Sequence, residues 1–214
     1  MAKIALTYKA VLLIHYSIMS HQKLVLKYLA MILIAVVMGV GSFALIIYIP
    51  PEGKIVSNGP WQTDLSVGST QSDIYMRARI ALMGLFALNK SEAVYFIARN
   101  DSQGKPLNSR CDYRIEGRDL PARWWSITVL GWNYFLIPNE DNRYSYNWAN
   151  ISSNTDKSYA IKLSPERKAG NWISTGAKDQ GQFKLNLRLY KPYPIVLEKP
   201  GTIDLPLIIR EECQ

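Results

Sequence analysis

Polar and apolar positions fall in three patterns along this chain. Residues 28–49, YLAMILIAVVMGVGSFALIIYI, have no polar period at all: 22 residues pass without Asp, Glu, Lys, Arg, Asn, Gln or Pro. As a helix that run is long enough to cross a hydrocarbon core of roughly 30 Å. Further on, Ile74, Ala78, Ala81, Leu82 and Leu85 recur at steps of three and four. Such spacing predicts an amphipathic helix ending near Leu88, with the polar run 68–73 supplying capping side chains before Ile74.

From Ala93 the pattern changes to short apolar runs broken by turn residues. Residues 93–99 (AVYFIAR) are closed by the turn-rich 100–106 and lead, as a hairpin, into 111–117, where Cys111, Tyr113 and Ile115 alternate with charge. Further strands are predicted at 124–130, 159–163 and 183–190. The last sets Phe183, Leu185, Leu187 and Leu189 against Lys184, Asn186, Arg188 and Tyr190, a strand with one wet face. Short strands between polar turns predict a mainly β fold: an antiparallel β-sandwich or jelly roll with one leading amphipathic helix, plus the N-terminal transmembrane helix. No sequence period supports a propeller or solenoid.

These patterns divide the chain into a cytoplasmic segment 1–27, a transmembrane helix 28–49, a stalk 50–60 marked by its prolines and glycines, and an extracytoplasmic β-sandwich domain 61–214. Upstream, residues 10–19 are apolar too, but ten residues cannot span. They read as an interfacial helix or as part of an over-long start, with Met19 a second candidate initiator. A cleaved signal peptide is the rival to an anchor. Length favours the anchor, because signal h-regions usually run about 7 to 15 residues before a small-x-small site.

Charge fixes the expected orientation. The net charge is +8, and residues 1–49 supply +4 of it through Lys3, Lys9, Lys23 and Lys27 with no acid. Lysines in front of the span keep the N-terminus cytoplasmic and carry the body across the inner membrane into the periplasm. The remaining charge is dispersed without a basic run, so nucleic acid is not an expected partner. Cys111 and Cys213 are a possible disulfide pair in an oxidising space, the alternative being a buried Cys111 and a frayed tail.

The chemistry on offer is narrow. Both histidines, His15 and His21, precede the span, so the body has no imidazole for a nucleophile triad or a zinc site. No CxxC, GxxxxGK[ST] or GxGxxG pattern occurs, and no cofactor or metal is expected. Carboxylates remain: Asp112, Glu116 and Asp119 cluster in sequence, and Glu140 and Asp141 share a loop. A solvated ion-pair face is the favoured reading of these, a catalytic pair the other. Aromatics are abundant, with all six tryptophans and nine of the 13 tyrosines after residue 60. Trp124 and Trp125, adjacent in a strand, must point to opposite faces, so one of them looks away from the main core.

Six blocks carry a family resemblance: GSTQSDIY at 68–75, EAVYF at 92–96, RWWS at 123–126, NRYS at 142–145, GNW at 170–172 and LRLY at 187–190. In their order they resemble the bacterial domain-of-unknown-function family 1214 over about residues 61–210. That resemblance implies a jelly-roll-like sandwich and a companion, domain-of-unknown-function family 1254, which this chain lacks and which is then expected as a separate partner. It supplies no catalytic residues. It does place Arg77, Trp125, Arg143, Asn171, Trp172, Arg188 and Tyr190 on matching positions, as candidate ligand-binding residues. An Arg on such a strand either closes an ion pair or holds a carboxylate or phosphate bidentately beside its aromatic neighbours. The expectation is a membrane-anchored envelope binding or interaction subunit rather than a catalyst, with a carboxylate-dependent enzyme acting on a sugar or other polar envelope metabolite as the alternative.

Overall fold

The computed structural model describes residues 2–48, 55–69, 72–82 and 87–213, with side chains outside 2–20 and 46–48. The chain forms two compact units, divided at Pro50/Pro51.

The first unit is a single helix, α1 (Ala2–Tyr48). Within it, His21–Leu45 is 25 residues long with a mean hydropathy of 2.4, enough to cross a membrane, and none of it is buried in protein. The apolar 10–19 segment continues into this helix without a break and is not a separate element. Ile49, the expected end of the span, lies outside the described residues, as do positions 50–54 of the expected stalk.

The second unit is a two-sheet β structure. In chain order its elements are β1 (Val56–Asn58), β2 (Trp61–Thr63), α2 (Ile74–Leu82), β3 (Ala93–Ala98), β4 (Cys111–Gly117), β5 (Ala122–Gly131), β6 (Ser145–Asn147), β7 (Tyr159–Ser164), β8 (Trp172–Ser174), β9 (Phe183–Pro192), α3 (Pro194–Glu198) and β10 (Leu207–Cys213). A six-stranded sheet runs β1-β2-β3-β9-β5-β6, and a four-stranded sheet runs β10-β4-β7-β8. Every pairing is antiparallel except β7 with β8.

Alternation builds the core. Val94, Phe96 and Ala98 of β3, Trp125, Ile127 and Val129 of β5, and Phe183, Leu185, Leu187 and Leu189 of β9 belong to one buried cluster. Tyr113 and Ile115 of β4 and Ile161 and Leu163 of β7 complete it from the smaller sheet. Trp61 closes one side, its indole N–H donating to the Pro206 carbonyl at 2.7 Å. These large side chains, fully out of water, are each worth about 1.5–3 kcal/mol of transfer free energy.

Four expectations are corrected. Residues 93–99 and 111–117 do not form a hairpin: β3 pairs with β2 and β9, while β4 pairs with β7 and β10 in the other sheet. The turn between them carries the chain across the sandwich and is held by Asp101, whose Oδ1 accepts the N–H groups of Gln103 and Lys105. Second, the apolar stripe read for α2 is not its inner face. Ile74 and Leu82 are 74% and 68% exposed, and Met76 is the buried residue, backed by half-buried Arg79 and Ile80 one turn on. The cap does form, Asp73 Oδ1 accepting from the Met76 N–H at 2.8 Å. Leu85 lies outside the described residues, and Ala87 and Leu88 are not helical. Third, residues 56–58, inside the expected stalk, form β1: the Gly59-Pro60 turn folds it onto β2, and Asn58 Nδ2 donates to the carbonyls of Pro200 and Ile203. Fourth, the wet face of β9 is not wet, as described next.

Candidate functional site

The central strand β9 lies between β3 and β5, so its second face, opposite the core, has neighbours on both sides. The register sets Ile97, Asn186, Thr128 and Ser145 in one row and Tyr95, Arg188, Ser126 and Asn147 in the next. Ala93, Tyr190 and Trp124 form a third row, and Lys184 stands beside Leu130 at the other end. Asn186 and Lys184 are 0% and 2% exposed, Ser126 and Thr128 are also buried, and Arg188, Tyr190, Trp124 and Tyr95 are half-buried. The face is therefore a floor of short polar side chains inside a rim of cations and aromatic rings.

Two segments overhang it. At one end the Leu88 N–H donates to the Tyr95 hydroxyl at 2.9 Å. Gly68, at φ +74°, passes so close to this segment that a Cβ there would collide with the Leu88 carbonyl oxygen. At the other end, residues 131–136 fold back through Tyr134 N–H to Gly131 O and Gly131 N–H to Phe135 O. This turn sets Tyr134 at φ +69°, left-handed backbone that a bulky side chain rarely adopts. The result puts Lys184 Nζ 3.2 Å from the Tyr134 ring centroid and 4.5 Å from that of Trp132.

The charges here are of one sign. Arg99 donates to the Tyr134 hydroxyl at 3.0 Å and to Gln62 Oε1 at 3.3 Å. In the amide orientation that satisfies both groups, Asn186 Oδ1 accepts from Arg188 Nε at 3.2 Å and Nη2 at 3.3 Å. Among the described residues, no carboxylate comes within 4.0 Å of Arg99, Lys184 or Arg188. Burial first, and then the Arg99 charge, push the Lys184 ammonium down to about 8.

The residues singled out from sequence divide among three places. Arg188 and Tyr190 stand on this face, Tyr190 edge-to-face with Trp124 at 5.1 Å. Trp125 points into the core, stacked on Tyr159 at 4.8 Å, so the two adjacent tryptophans do take opposite faces. Arg143, Asn171 and Trp172 gather around β6 and β8 instead. Arg143 lies over the Tyr146 ring at 5.0 Å, and the Tyr146 hydroxyl accepts from the Trp172 N–H. Asn171 Nδ2 donates to the carbonyls of Ser152 and Ala160, and Trp172 Nε1 donates to Ser164 O. Asn171, Trp172 and Tyr146 are buried and satisfied from within, which suits a framework role better than binding, while Arg143 is exposed. Arg77 is exposed on α2. Nothing in the sequence pattern marks Arg99 or Tyr134 for this site, and only the alternation of β9 points to Lys184 and Asn186.

Four of the five carboxylates read from sequence are ion-paired, each with a different cation. Asp112 pairs with Lys168, Glu116 with Arg114, Asp119 with Lys157 and Asp141 with Arg167. On the smaller sheet an open hollow of about 360 Å³ is lined by Glu116, Arg118, Asn154, Tyr159 and Asp204 among others. The Tyr159 hydroxyl is buried without a hydrogen-bond partner among the described residues, and burial pushes it well above the usual phenol range. Cys111 and Cys213 form a disulfide that fastens β10 to β4.

Residues 92–194 match the family model described as Protein of unknown function (DUF1214). Among curated proteins, none matches the chain. Of solved structures, the VPA0106 protein from Vibrio parahaemolyticus is similar at 23% identity and a TM-score of 0.54, over 66% of this chain and 36% of that one. An uncharacterised protein from Burkholderia cenocepacia aligns at 21% identity and a TM-score of 0.36, over 57% of this chain and 30% of that one. The chain thus spans about a third of the length of each. The first likeness supports the two-sheet fold.

Proposed function

We propose, with the match of residues 92–194 to the DUF1214 family as premise, that this chain is a membrane-tethered envelope binding subunit. In this reading α1 is an uncleaved single-pass anchor in the inner membrane, its N-terminus cytoplasmic and the β domain periplasmic. Four lysines and no acid before the apolar run support the orientation. The Cys111–Cys213 disulfide supports it too, since cytosolic thiols are kept reduced.

One observation carries the binding role: the second face of the six-stranded sheet, a buried polar floor with uncompensated cations and half-buried aromatics. A face with only a framework task would bury apolar side chains or neutralise its charges, because burying charge without a partner is costly. Exposed apolar side chains lie on the overhanging 131–136 turn, Trp132, Phe135 and Leu136, and others, Ile74 and Leu82, lie on α2. Such residues suit contact with a second protein. The partner is a separate protein of family 1254, the companion implied by the family resemblance. Confinement to one membrane raises effective concentration, so modest affinity suffices. The carboxylate-enzyme alternative has less support, since Asp112, Glu116, Asp119 and Asp141 are each held by a cation.

The test is recovery of the full chain from detergent-solubilised membranes after crosslinking. A companion-family protein should co-purify. Its absence in repeated preparations would remove the partner and favour the enzyme alternative.

A further inference from the structure

We propose that the outer face of the six-stranded sheet is an oxyanion site, in which Arg99 and Lys184 receive the carboxylate or phosphate of a ligand whose apolar part lies against Trp132. This rests on the binding-subunit reading and names the ligand chemistry it lacked.

Three observations meet at the same place. Lys184 is 2% exposed, and its ammonium has no hydrogen-bond acceptor and no carboxylate among the described residues; the ring faces of Tyr134 and Trp132 lie against it. A cation–π contact offsets part of the desolvation of an ammonium but leaves its N–H donors unmatched. Next, Arg99 is brought to the same phenol, its Nη2 on the Tyr134 hydroxyl, so two cations share one ring. Like charges brought together in a half-dry place repel unless something negative joins them. The third observation is the backbone at Tyr134, held at φ +69° by the 131–136 turn. Strain of this kind persists where the surrounding structure over-determines it, and it is common where a side chain must be aimed.

An oxyanion answers all three. It would accept from the Lys184 ammonium and the Arg99 guanidinium, for which charge-assisted bonds are roughly twice as strong as neutral ones. Farther along the strand, Arg188, braced by Asn186, is a second cation for a longer or doubly charged ligand. Trp132, 53% exposed, offers a ring wall for an apolar body. The groups facing Lys184 are Arg99, just past the end of β3, and Tyr134 and Trp132 from the turn.

The experiment titrates sodium benzoate and, separately, inorganic phosphate into the detergent-solubilised full chain at constant ionic strength, followed by tryptophan fluorescence. Saturable binding of at least one probe is expected. Lys184→Met and Arg99→Gln should each weaken it about tenfold or more while the thermal transition stays cooperative. Benzoate remains ionised from pH 7 to pH 9 while Lys184, near 8, loses its proton, so wild-type affinity should fall about tenfold across that range. Lys184→Met should abolish the fall. If Lys184→Met does not fold, Arg99→Gln and the wild-type pH profile decide. Displacement of the probe by phosphatidylglycerol in the micelle, and not by phosphatidylcholine, assigns the oxyanion to a lipid headgroup; no displacement assigns it to a soluble ligand, and both keep the site. No saturable binding by folded protein, or affinity unchanged in the variants, overturns the proposal. If that happens while a partner still co-purifies from membranes, the anion site falls and the binding-subunit reading stands; loss of both removes both.

Discussion

Asp101 shows how much one buried charge holds. Its carboxylate is 1% exposed, accepts two backbone N–H groups and pairs with Arg210 Nε at 2.8 Å. It fixes the turn that takes the chain from one sheet to the other. Asp101→Ala leaves Arg210 Nε and both amides without their acceptor, the Arg210 Nη2 bond to the Pro106 carbonyl remaining, and should cost about 3 kcal/mol, read from urea unfolding. A loss under about 1 kcal/mol would show the turn to be held by its backbone alone. Lys184 acts in the opposite sense. Its ammonium is depressed from 10.5 to about 8, so between those values the unfolded chain holds a proton that the folded chain has released. Stability from this group is therefore lowest below pH 8 and rises toward pH 10.5. The urea midpoint of wild type minus that of Lys184→Met should climb over this window. A flat difference would mean that the ammonium is well solvated.

At the scale of elements, the C-terminal strand depends on one covalent tie. Cys111 and Cys213 are separated by 102 residues, and their bond secures β10 beyond the irregularity between Arg210 and Cys213. Cys213→Ser should lower stability by about 2–4 kcal/mol, with Arg210 and Asp101 keeping the first half of the strand paired. A melting temperature indifferent to reductant would contradict this. Most of the long strands are legible because alternation alone marks them: β4 begins and ends where its pattern does, and β5, β7 and β9 lie within two residues of the predicted bounds at each end, whereas the seven-residue β10, LIIREEC, does not alternate and is not among the predicted strands. The three-residue strands β1, β2, β6 and β8 were not, since three residues carry no period. Strand partners were not legible either. The turn after β3 has hairpin composition, yet pairing is decided by which apolar faces meet across the sandwich. The face of α2 differs from the apolar stripe because Met76 is its buried residue while Arg79, charged, is half-buried, and a long charged side chain can cover apolar surface that a hydrophobic pattern does not mark. The site was legible only in outline. Arg188 and Tyr190 were found, but burial of Lys184 depends on a turn fifty residues away in sequence.

At the scale of the whole molecule, the division at Pro50/Pro51 leaves each unit with its own task. The β unit has a complete buried cluster, so a fragment starting at Ile55 should be soluble and unfold cooperatively on heating. A gradual melt would mean that the membrane or a partner completes its core. A reporter active only in the periplasm, fused after Gln214, should be active if the lysines set the orientation. Cytoplasmic-only activity would reverse it.

The central claim is that the second face of the six-stranded sheet does the recognising. It is tested most directly by placing a photo-crosslinking amino acid at Trp124, on that face, and separately at Ala160, exposed on the smaller sheet, in the membrane-bound full chain. Irradiation of intact envelopes should give a discrete adduct from position 124 and none from position 160. Adducts from 160 alone, or from neither position in a folded and correctly inserted chain, would contradict the account.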